Sequence, residues 1–571
     1  MYTLGINSVY HDCAAALVHD GSVIAAAEEE RFTRIKHGKR PLPFTTWQLP
    51  FHAIDYVLRE AGIALKDVDH VAYSFEPALM LGVHNGQETI ELPLQPSART
   101  RSDWLSPWDP LFLSYVVNAP RQLASGAPHH LQERFRGARH DGPFRWHYVE
   151  HHLAHEASAF LASPFDECAV LTMDGRGEIA TTSYGKFEDR HYQRIHQVNL
   201  PNSLGLLYEA VTRHLGFLHS SDEYKVMALA SFGTPIYSSL LNEVLTYTSG
   251  GNYEVLPCDL KMLLGAPRAR GSELTRTHMD IAASLQHVLE RTVLQMAAWL
   301  HDKTRMDNLC MAGGVALNCV LNAKVRDAGP FKRVWVQPAS GDSGTALGAA
   351  LWIDAAQRRE QTPHWRMHHA FLGPSYEDRE IETLLKEAKL RYRHSSDLAN
   401  EAADLLIQNK VIGWFQGRME FGPRALGARS ILASPIDPSM QARLNAIKDR
   451  EDFRPVAPVV LEEQAANWFV DGAESPFMLF VFDVRADKEN RIPAVRHVDG
   501  TARIQTINRQ QNARYYDLLR AFADRTGVPV LINTSFNTRG EPIVCTPRDA
   551  IESFFSTPLD ALAIGSFIVE K

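Results

Sequence analysis

Cysteine is scarce and scattered. The six, Cys13, Cys168, Cys258, Cys310, Cys319 and Cys545, contain no CxxC pair, which excludes a disulfide framework or a zinc knuckle and suits a reducing cytosol. No run of about 18 apolar residues occurs, so no membrane span is expected. The opening MYTLGINSVYHD lacks a basic segment followed by an apolar core, so no signal peptide is expected and the location should be cytoplasmic. A basic surplus is missing too: 59 Lys and Arg stand against 67 Asp and Glu. Nucleic-acid binders ordinarily carry the opposite balance, so neither nucleic acid nor membrane is an expected partner.

What is present is an ordinary globular composition, 45% hydrophobic and 22% charged, over 571 residues. That length exceeds one core and predicts at least two domains. The first segment reads as strand, turn and strand, with a hairpin pivoting on Asp20-Gly21. ECAVLTMDGRGEIATTSYGKF repeats that pattern around Asp174. Between the two, residues ~75–145 are rich in Pro, Trp and Arg and read as an inserted cap. Trp104, Trp108, Phe112 and Tyr115, beside Arg99, Arg101 and Asp103, give that cap the makings of an acceptor surface as readily as a packing face. A long amphipathic helix, IAASLQHVLERTVLQMAAWLHDKT, precedes two strand–turn–helix units, and residues 359–372 read as a linker. Beyond it lies a second α/β segment with strands at VIGWF, FMLFVFDV and ARIQTI and the unit GVPVLINTSFNTRGEPIV.

In VEHHLAHEASAF, His151 and His155 stand four apart and so share one helical face. Spacing alone does not make them ligands, since His147/His151 and His364/His368 are spaced alike. Asp174 closes an apolar strand, where it serves equally as a turn cap or as a cleft carboxylate. Asp342 serves equally as a helix cap. Joined, the four make a two-histidine, two-carboxylate site suited to Fe(II), Mn(II) or Zn(II).

AGGVALN (Gly313, Gly314, Asn318) and SGDSGTALG (Gly341, Ser343) are glycine turns opening helices, which leave backbone N–H groups free for a phosphate. One such turn is more often mere packing; two in consecutive units match a duplicated nucleotide-binding architecture. Further on, Arg418, Arg424, Arg429, Arg443, Lys448, Arg450 and Arg454 crowd one stretch. Such density is usually a solvated face. Here apolar and Gly-Pro segments interrupt it, which favours a small phosphorylated substrate held by guanidinium forks. TSFN, Thr534 to Asn537, could present amides and hydroxyls to a carbonyl.

Together these stretches resemble the carbamoyltransferase family, whose members decorate nodulation factors, aminoglycosides and other natural products. The matching text is AAALVHDGSVIAAAEEERFTRIKHGKR, HHLAHEASAF, MDGRGE, SSDEYKVMALASFG, AGGVALN, GRMEFGPRALGARSIL, KDREDFRP and LINTSFNTRGEPIV, in family order over nearly the whole chain. The resemblance implies an actin/hexokinase-like (ASKHA) α/β domain over residues 1–360, similar to the tRNA threonylcarbamoyl-transfer enzymes. A YrdC-like α/β domain over 373–571 would follow. It implies metal ligation by His151, His155, Asp174 and Asp342, usually of Fe2+, and a nucleotide phosphate contact at Lys39. It further implies a carbamoyl-phosphate pocket of Arg424, Lys448, Arg454, Arg503 and Asn533. Two departures stand out. Glu156 replaces a frequent alanine, adding an acid near the metal or facing solvent, and the cap is longer than in the aminoglycoside enzyme.

The expectation is an O-carbamoyltransferase using ATP with Mg2+ and carbamoyl phosphate, passing the carbamoyl group to a hydroxyl-bearing small molecule. Asp12 and Asp222 are candidate proton acceptors, and a homodimer is compatible with the resemblance. A metabolite kinase, yielding ADP, and a non-catalytic ATP-binding partner are the rival classes. The hydrogenase-maturation carbamoyltransferases fit poorly, because their zinc-finger cysteine pairs are absent.

Overall fold

A computed structural model describes residues 1–38, 49–79, 116–117, 119–120, 122–124, 144–358 and 365–571. Strands β1 (Tyr2–Asn7), β2 (Ala14–His19) and β3 (Ser22–Glu28) form an antiparallel meander. Asp20 and Gly21 turn it with φ of 46° and 83°, both positive as a type I′ hairpin requires. β4 (His70–Tyr73) pairs parallel to β1, and β5 (Arg145–Tyr148) parallel to β4. The order is β3-β2-β1-β4-β5.

The second sheet repeats this plan. β6 (Cys168–Met173), β7 (Ala180–Glu188) and β8 (His191–Asn199) are again an antiparallel meander. After a small hairpin of β9 (Leu245–Tyr247) and β10 (Tyr253–Val255), β11 (Asn308–Ala312) pairs parallel to β6 and β12 (Arg333–Val336) parallel to β11. Its order, β8-β7-β6-β11-β12, is the first sheet's order with the same strand directions. The pattern match read from the sequence is thus a topological duplication.

Two helices cross between the sheets. His151–Phe160 packs on β6, β7 and β11, Ser343–Arg358 packs on β1, β2 and β4, and the two helices pack on each other. Each therefore leaves one sheet and covers the other. The Arg276–Thr304 helix buries Ile281, Leu285, Val288, Leu289, Met296 and Leu300, the wide apolar stripe of a core-facing helix.

The C-terminal portion is an eight-stranded mixed sheet built from β13 (Tyr392–His394), β14 (Ile412–Phe415), β15 (Arg429–Ala433), β16 (Ala457–Leu461), β19 (Gln505–Ile507), β20 (Val530–Ser535), β21 (Ala561–Ile564) and β22 (Phe567–Glu570). Its order is β13-β22-β21-β14-β15-β20-β16-β19, and β17 (Val481–Asp483) and β18 (Thr501–Arg503) form a separate ribbon. Two expectations are corrected here. FMLFVFDV forms a strand only at its end, because Phe477, Met478 and Leu479 are drawn into the N-terminal core cluster. ARIQTI divides between β18 and β19, which pair with different partners.

The two portions are stapled by backbone-directed arginines. Arg31 donates to Gly422 O at 2.9 Å, Arg34 to Ile543 O at 2.6 Å, and Arg418 to Leu372 O at 2.7 Å. Residues 365–372, read as linker, are docked, with Met367, Ala370 and Leu372 buried. Most of the cap, with its named aromatics and charges, lies outside the described residues; Val116, Ala119 and Leu123 bury into the first sheet's core. Strand β5 stands between the cap and the His151 helix and completes the sheet. Among the described residues no helix is long and apolar enough to cross a membrane.

Candidate functional site

Three connections converge at the centre of the duplicated unit. The helix after β5 begins at His151, β6 ends just before Asp174, and Asp342 precedes the helix after β12. The ligand atoms of His151, His155, Asp174 and Asp342 lie within 4.8 Å of one another, and all four residues are buried. His151 Nε2 stands 3.8 Å from Asp174 Oδ2 and 3.6 Å from Asp342 Oδ1; His155 Nε2 stands 3.9 and 3.7 Å from the same atoms. Donors about 2.1 Å from one ion are spaced on the order of 3–4 Å apart, so the set fits a first-row divalent metal.

The polar accounting points the same way. His151 Nε2, both ring nitrogens of His155 and both carboxylate oxygens of Asp342 are buried without a hydrogen-bond partner. Such orphans in a native core call for an explanation, and a metal ion supplies one for His151 Nε2, His155 Nε2 and Asp342 Oδ1, the atoms that face one another. The helix-cap role for Asp342 is not realised. His151 Nδ1 donates to Ser74 O at 3.2 Å, which leaves Nε2 as the lone-pair nitrogen facing the centre. Asp174 Oδ1 accepts the Gly314 N–H at 2.8 Å, and Oδ2, which accepts a longer 3.4 Å bond from the Arg176 N–H, faces the centre. Burial works against charge on His151, but Asp342 and Asp174 outweigh it and raise its pKa well above the ordinary value, so a metal bound at Nε2 displaces a proton from that nitrogen. Burial also opposes ionisation of Asp174 and Asp342, and neighbouring histidines outweigh it, so both carboxyls sit below theirs. The centre thus carries anionic oxygens that select positive charge.

Glu156 corrects its expectation. It is fully buried and neither faces solvent nor joins the metal set, because one residue beyond His155 turns it about 100° round the helix. Arg194 binds it there, at 2.8 and 3.1 Å.

Of the expected nucleotide residues, Gly313 has φ +88°, and a Cβ there would meet Met173 O at 2.1 Å. The Gly314 N–H is taken by Asp174, so this turn opens first into the 3-10 segment Gly314–Leu317. Asn318 caps the helix Cys319–Ala328 and donates to Gln286 at 2.8 Å. A Cβ on Gly341 would lie 3.8 Å from Leu317 and 3.9 Å from Asp12 Oδ2, and Ser343, buried, starts the next helix. Lys39 lies outside the described residues. Asp12 bridges His11 and His37, each at 2.9 Å. His11 in turn stands 3.7 Å from Asp342, so Asp12 is one imidazole removed from the metal set. Asp222 is turned elsewhere, accepting the Leu218 N–H and pairing with Lys225 at 3.2 Å.

The seven cations split into two groups. Arg429 is buried, donates to Gln416 O and Pro374 O and stacks 3.7 Å over Phe415. Arg418 staples the two portions, and Arg443 pairs with Asp560 at 2.7 Å; these three are structural. The others gather with Arg503. Burial, with Arg503 and Arg454 nearby, pulls Arg424 down to about 9, and burial with Arg454 and Arg503 does the same to Arg450. Lys448 is held well below its ordinary value by burial and by Arg450, Arg454 and Lys36. Cations that disfavour one another's charge in this way suit a compact polyanion. Lys448 also clamps the TSFN turn, donating to Ser535 O, to Asn537 O at 2.8 Å and to Asn537 Oδ1 at 2.8 Å.

The sequence reading passed over several contributors. Tyr224 lies under the Arg454 guanidinium at 4.7 Å, and Lys225 donates to Glu451 at 2.9 Å. Arg424 reaches Leu317 O, in the AGGVALN turn, at 3.4 Å. The cationic pocket is therefore walled by both portions and borders the first glycine turn. Arg450 was visible as part of the KDRE run; nothing in the sequence distinguishes Tyr224 from a packing aromatic.

The family models "Carbamoyltransferase N-terminus" and "Carbamoyltransferase C-terminus" match residues 2–80 with 140–351, and 403–571. Nodulation protein NolNO of Sinorhizobium fredii is 39% identical over 99% of this chain and 80% of its own. Nodulation protein NolO of Bradyrhizobium diazoefficiens is 42% identical over 74% of this chain and 79% of its own. An uncharacterized Synechocystis protein, sll1178, is 41% identical over 100% and 97%. Solved structures align only distantly: HypF from T. kodakarensis matches 63% of this chain and 48% of its own at 14% identity and a TM-score of 0.32. With both family models matched in order and full-length relatives at this identity, the chain belongs to the carbamoyltransferase family and is a carbamoyltransferase enzyme.

Proposed function

We propose that this carbamoyltransferase forms carbamoyl-adenylate from carbamoyl phosphate and ATP with Mg2+, then passes the carbamoyl group to a hydroxyl of a sugar or other natural product. The observation carrying the reading is the pairing of two unlike sites across one seam. One is a pocket of mutually repelling cations that needs a polyanion; the other is a buried His2Asp2 set that needs a cation.

In the first site, Arg424, Arg454 and Arg503 hold carbamoyl phosphate and stabilise the phosphate released as water converts it to carbamate, while Arg450, tied to Asn445 Oδ1 at 2.6 Å, adds positive charge beside them. Fixed donors aimed at developing anions need no reorganisation during the reaction, which makes such terms large. A carbamate oxygen then attacks the α-phosphorus of ATP and expels pyrophosphate. Carbamate decomposes in water, so the contact between Arg424 and the Leu317 turn favours a short, enclosed route between the sites.

In the second site, His151, His155, Asp174 and Asp342 would hold a divalent ion, Fe2+ by the family resemblance. When bound, that ion supplies Lewis acidity toward the carbamoyl carbonyl. Ser74 O fixes the His151 tautomer, and the Gly314 N–H fixes the Asp174 rotamer. The acceptor hydroxyl attacks the carbamoyl carbon, AMP departs, and the hydroxyl proton must be taken up. Of the two carboxylates considered, Asp12 is the better placed; Asp222 is engaged by Lys225.

Incubation with ATP and carbamoyl phosphate should yield AMP and pyrophosphate. Mass spectrometry over a panel of hydroxylated natural products should find one acceptor gaining a single carbamoyl group. ADP as the nucleotide product would refute the scheme.

A further inference from the structure

Asn533 can offer the cationic pocket only one kind of hydrogen bond. Its Nδ2 amide has two donors, and both are spent. One goes to Ala425 O at 3.2 Å and the other to Gln505 Oε1 at 2.7 Å. Gln505 is itself fixed, since its Nε2 donates to Leu426 O at 2.8 Å; its carbonyl end must therefore face Asn533. That in turn settles which way the Asn533 amide points, because a flipped Asn533 would set carbonyl against carbonyl twice. What remains is Asn533 Oδ1, an acceptor, buried and without a partner.

Two donors share that condition. Arg424 Nε and Arg503 Nε are also buried without partners. Ala425 directly follows Arg424, and Gln505 follows Arg503 by two residues along β18 and β19. The bonds of Asn533 to the residues that follow Arg424 and Arg503 thus bring two unpaired guanidinium donors and one unpaired acceptor into one neighbourhood. A phosphate alone satisfies the donors and leaves the acceptor bare. A molecule with both phosphate oxygens and an N–H satisfies all three.

We propose that Gln505 is a specificity-determining positioning residue: by locking Asn533 with its carbonyl toward the pocket, it makes the site select an acyl phosphate bearing an N–H, the carbamoyl group, over acyl phosphates bearing carbon there. This deepens the donor assignment given above and rests on it. Acetyl phosphate, which replaces the amino group by methyl, would leave Asn533 Oδ1 desolvated and unpaired. Sites built around a buried hydrogen bond reject ligands lacking it strongly, by about tenfold or more for one unpaired group.

The test compares carbamoyl phosphate with acetyl phosphate by kcat/KM for pyrophosphate release from ATP. The wild-type enzyme should favour carbamoyl phosphate by at least about tenfold. Gln505→Leu, which frees the Asn533 amide to turn, should shrink that preference about tenfold through loss on carbamoyl phosphate. Acetyl phosphate turnover should stay near its wild-type value. Gln505→Leu should keep the wild-type circular dichroism and the thermal stabilisation by inorganic phosphate, which guards against a result caused by misfolding. Protection against thermal unfolding by each acyl phosphate reads the same preference without turnover. If the wild-type enzyme releases no pyrophosphate with carbamoyl phosphate, the donor assignment itself fails. If it does, and either wild type accepts both donors equally or Gln505→Leu keeps full preference, the role assigned to Gln505 is overturned.

Discussion

Gly348 presses directly on the Ala154 carbonyl. A Cβ built on Gly348 would fall 1.8 Å from Ala154 O and 2.7 Å from Ser158 N, so the helices Ser343–Arg358 and His151–Phe160 meet backbone to backbone. Asp342 heads the first of these helices, and His151 and His155 lie on the second. Their crossing distance therefore sets the 3.6 and 3.7 Å separations within the metal set.

Gly348→Ala should push the helices apart. Overpacking of this kind destabilises by roughly 1–3 kcal/mol, and here the displacement also widens the site. The thermal midpoint should fall by several degrees and bound metal should fall with it, by calorimetry and elemental analysis. Full metal occupancy in a stably folded variant would show that the contact does not govern the site.

His155→Ala removes one of two imidazoles while leaving Asp174 and Asp342 beside an under-coordinated ion. Metal content should drop by most of its stoichiometry with the fold retained, because Ser74 and Gly314 still hold the remaining ligands. Circular dichroism alongside elemental analysis checks both halves of that expectation.

The two chemical steps should separate by residue. Arg454→Ala loses a charge-assisted contact worth about 1.5–3 kcal/mol, and should slow adenylate formation at least about tenfold. It should still transfer from supplied carbamoyl-adenylate. His151→Ala should show the reverse. Equal failure of both variants with supplied adenylate would refute the division.

Inorganic phosphate should stabilise the protein by relieving repulsion among Arg424, Arg450, Arg454 and Arg503. At about 100 times its Kd the gain is about 2.7 kcal/mol, visible as a raised thermal midpoint. Tyr224→Ala should weaken this response by removing the ring under Arg454, whereas Tyr224→Phe should preserve it.

Much of the fold was legible because the local signals agreed. Asp20-Gly21 specified a hairpin, Gly313 sits where its φ of +88° excludes other residues, and unbroken apolar runs such as CAVLTM became central strands. The i, i+4 spacing by itself puts His151 and His155 on one face of their helix. The same local signals failed at FMLFVFDV, whose apolar run satisfied a neighbouring core instead of a sheet.

What the tertiary structure decided is which of several equivalent local roles each residue fills. Asp342 could cap a helix or face a cleft, and only the crossing of two helices over two sheets brings its bare oxygens to the histidines. Seven cations looked alike in sequence until packing buried Arg429 against Phe415 and spent Arg418 on the seam. Glu156 found Arg194, on a strand beyond any periodicity. Periodicity fixes the direction a side chain takes from its own element; what it meets there depends on strand pairing and helix crossing, which non-local contacts set.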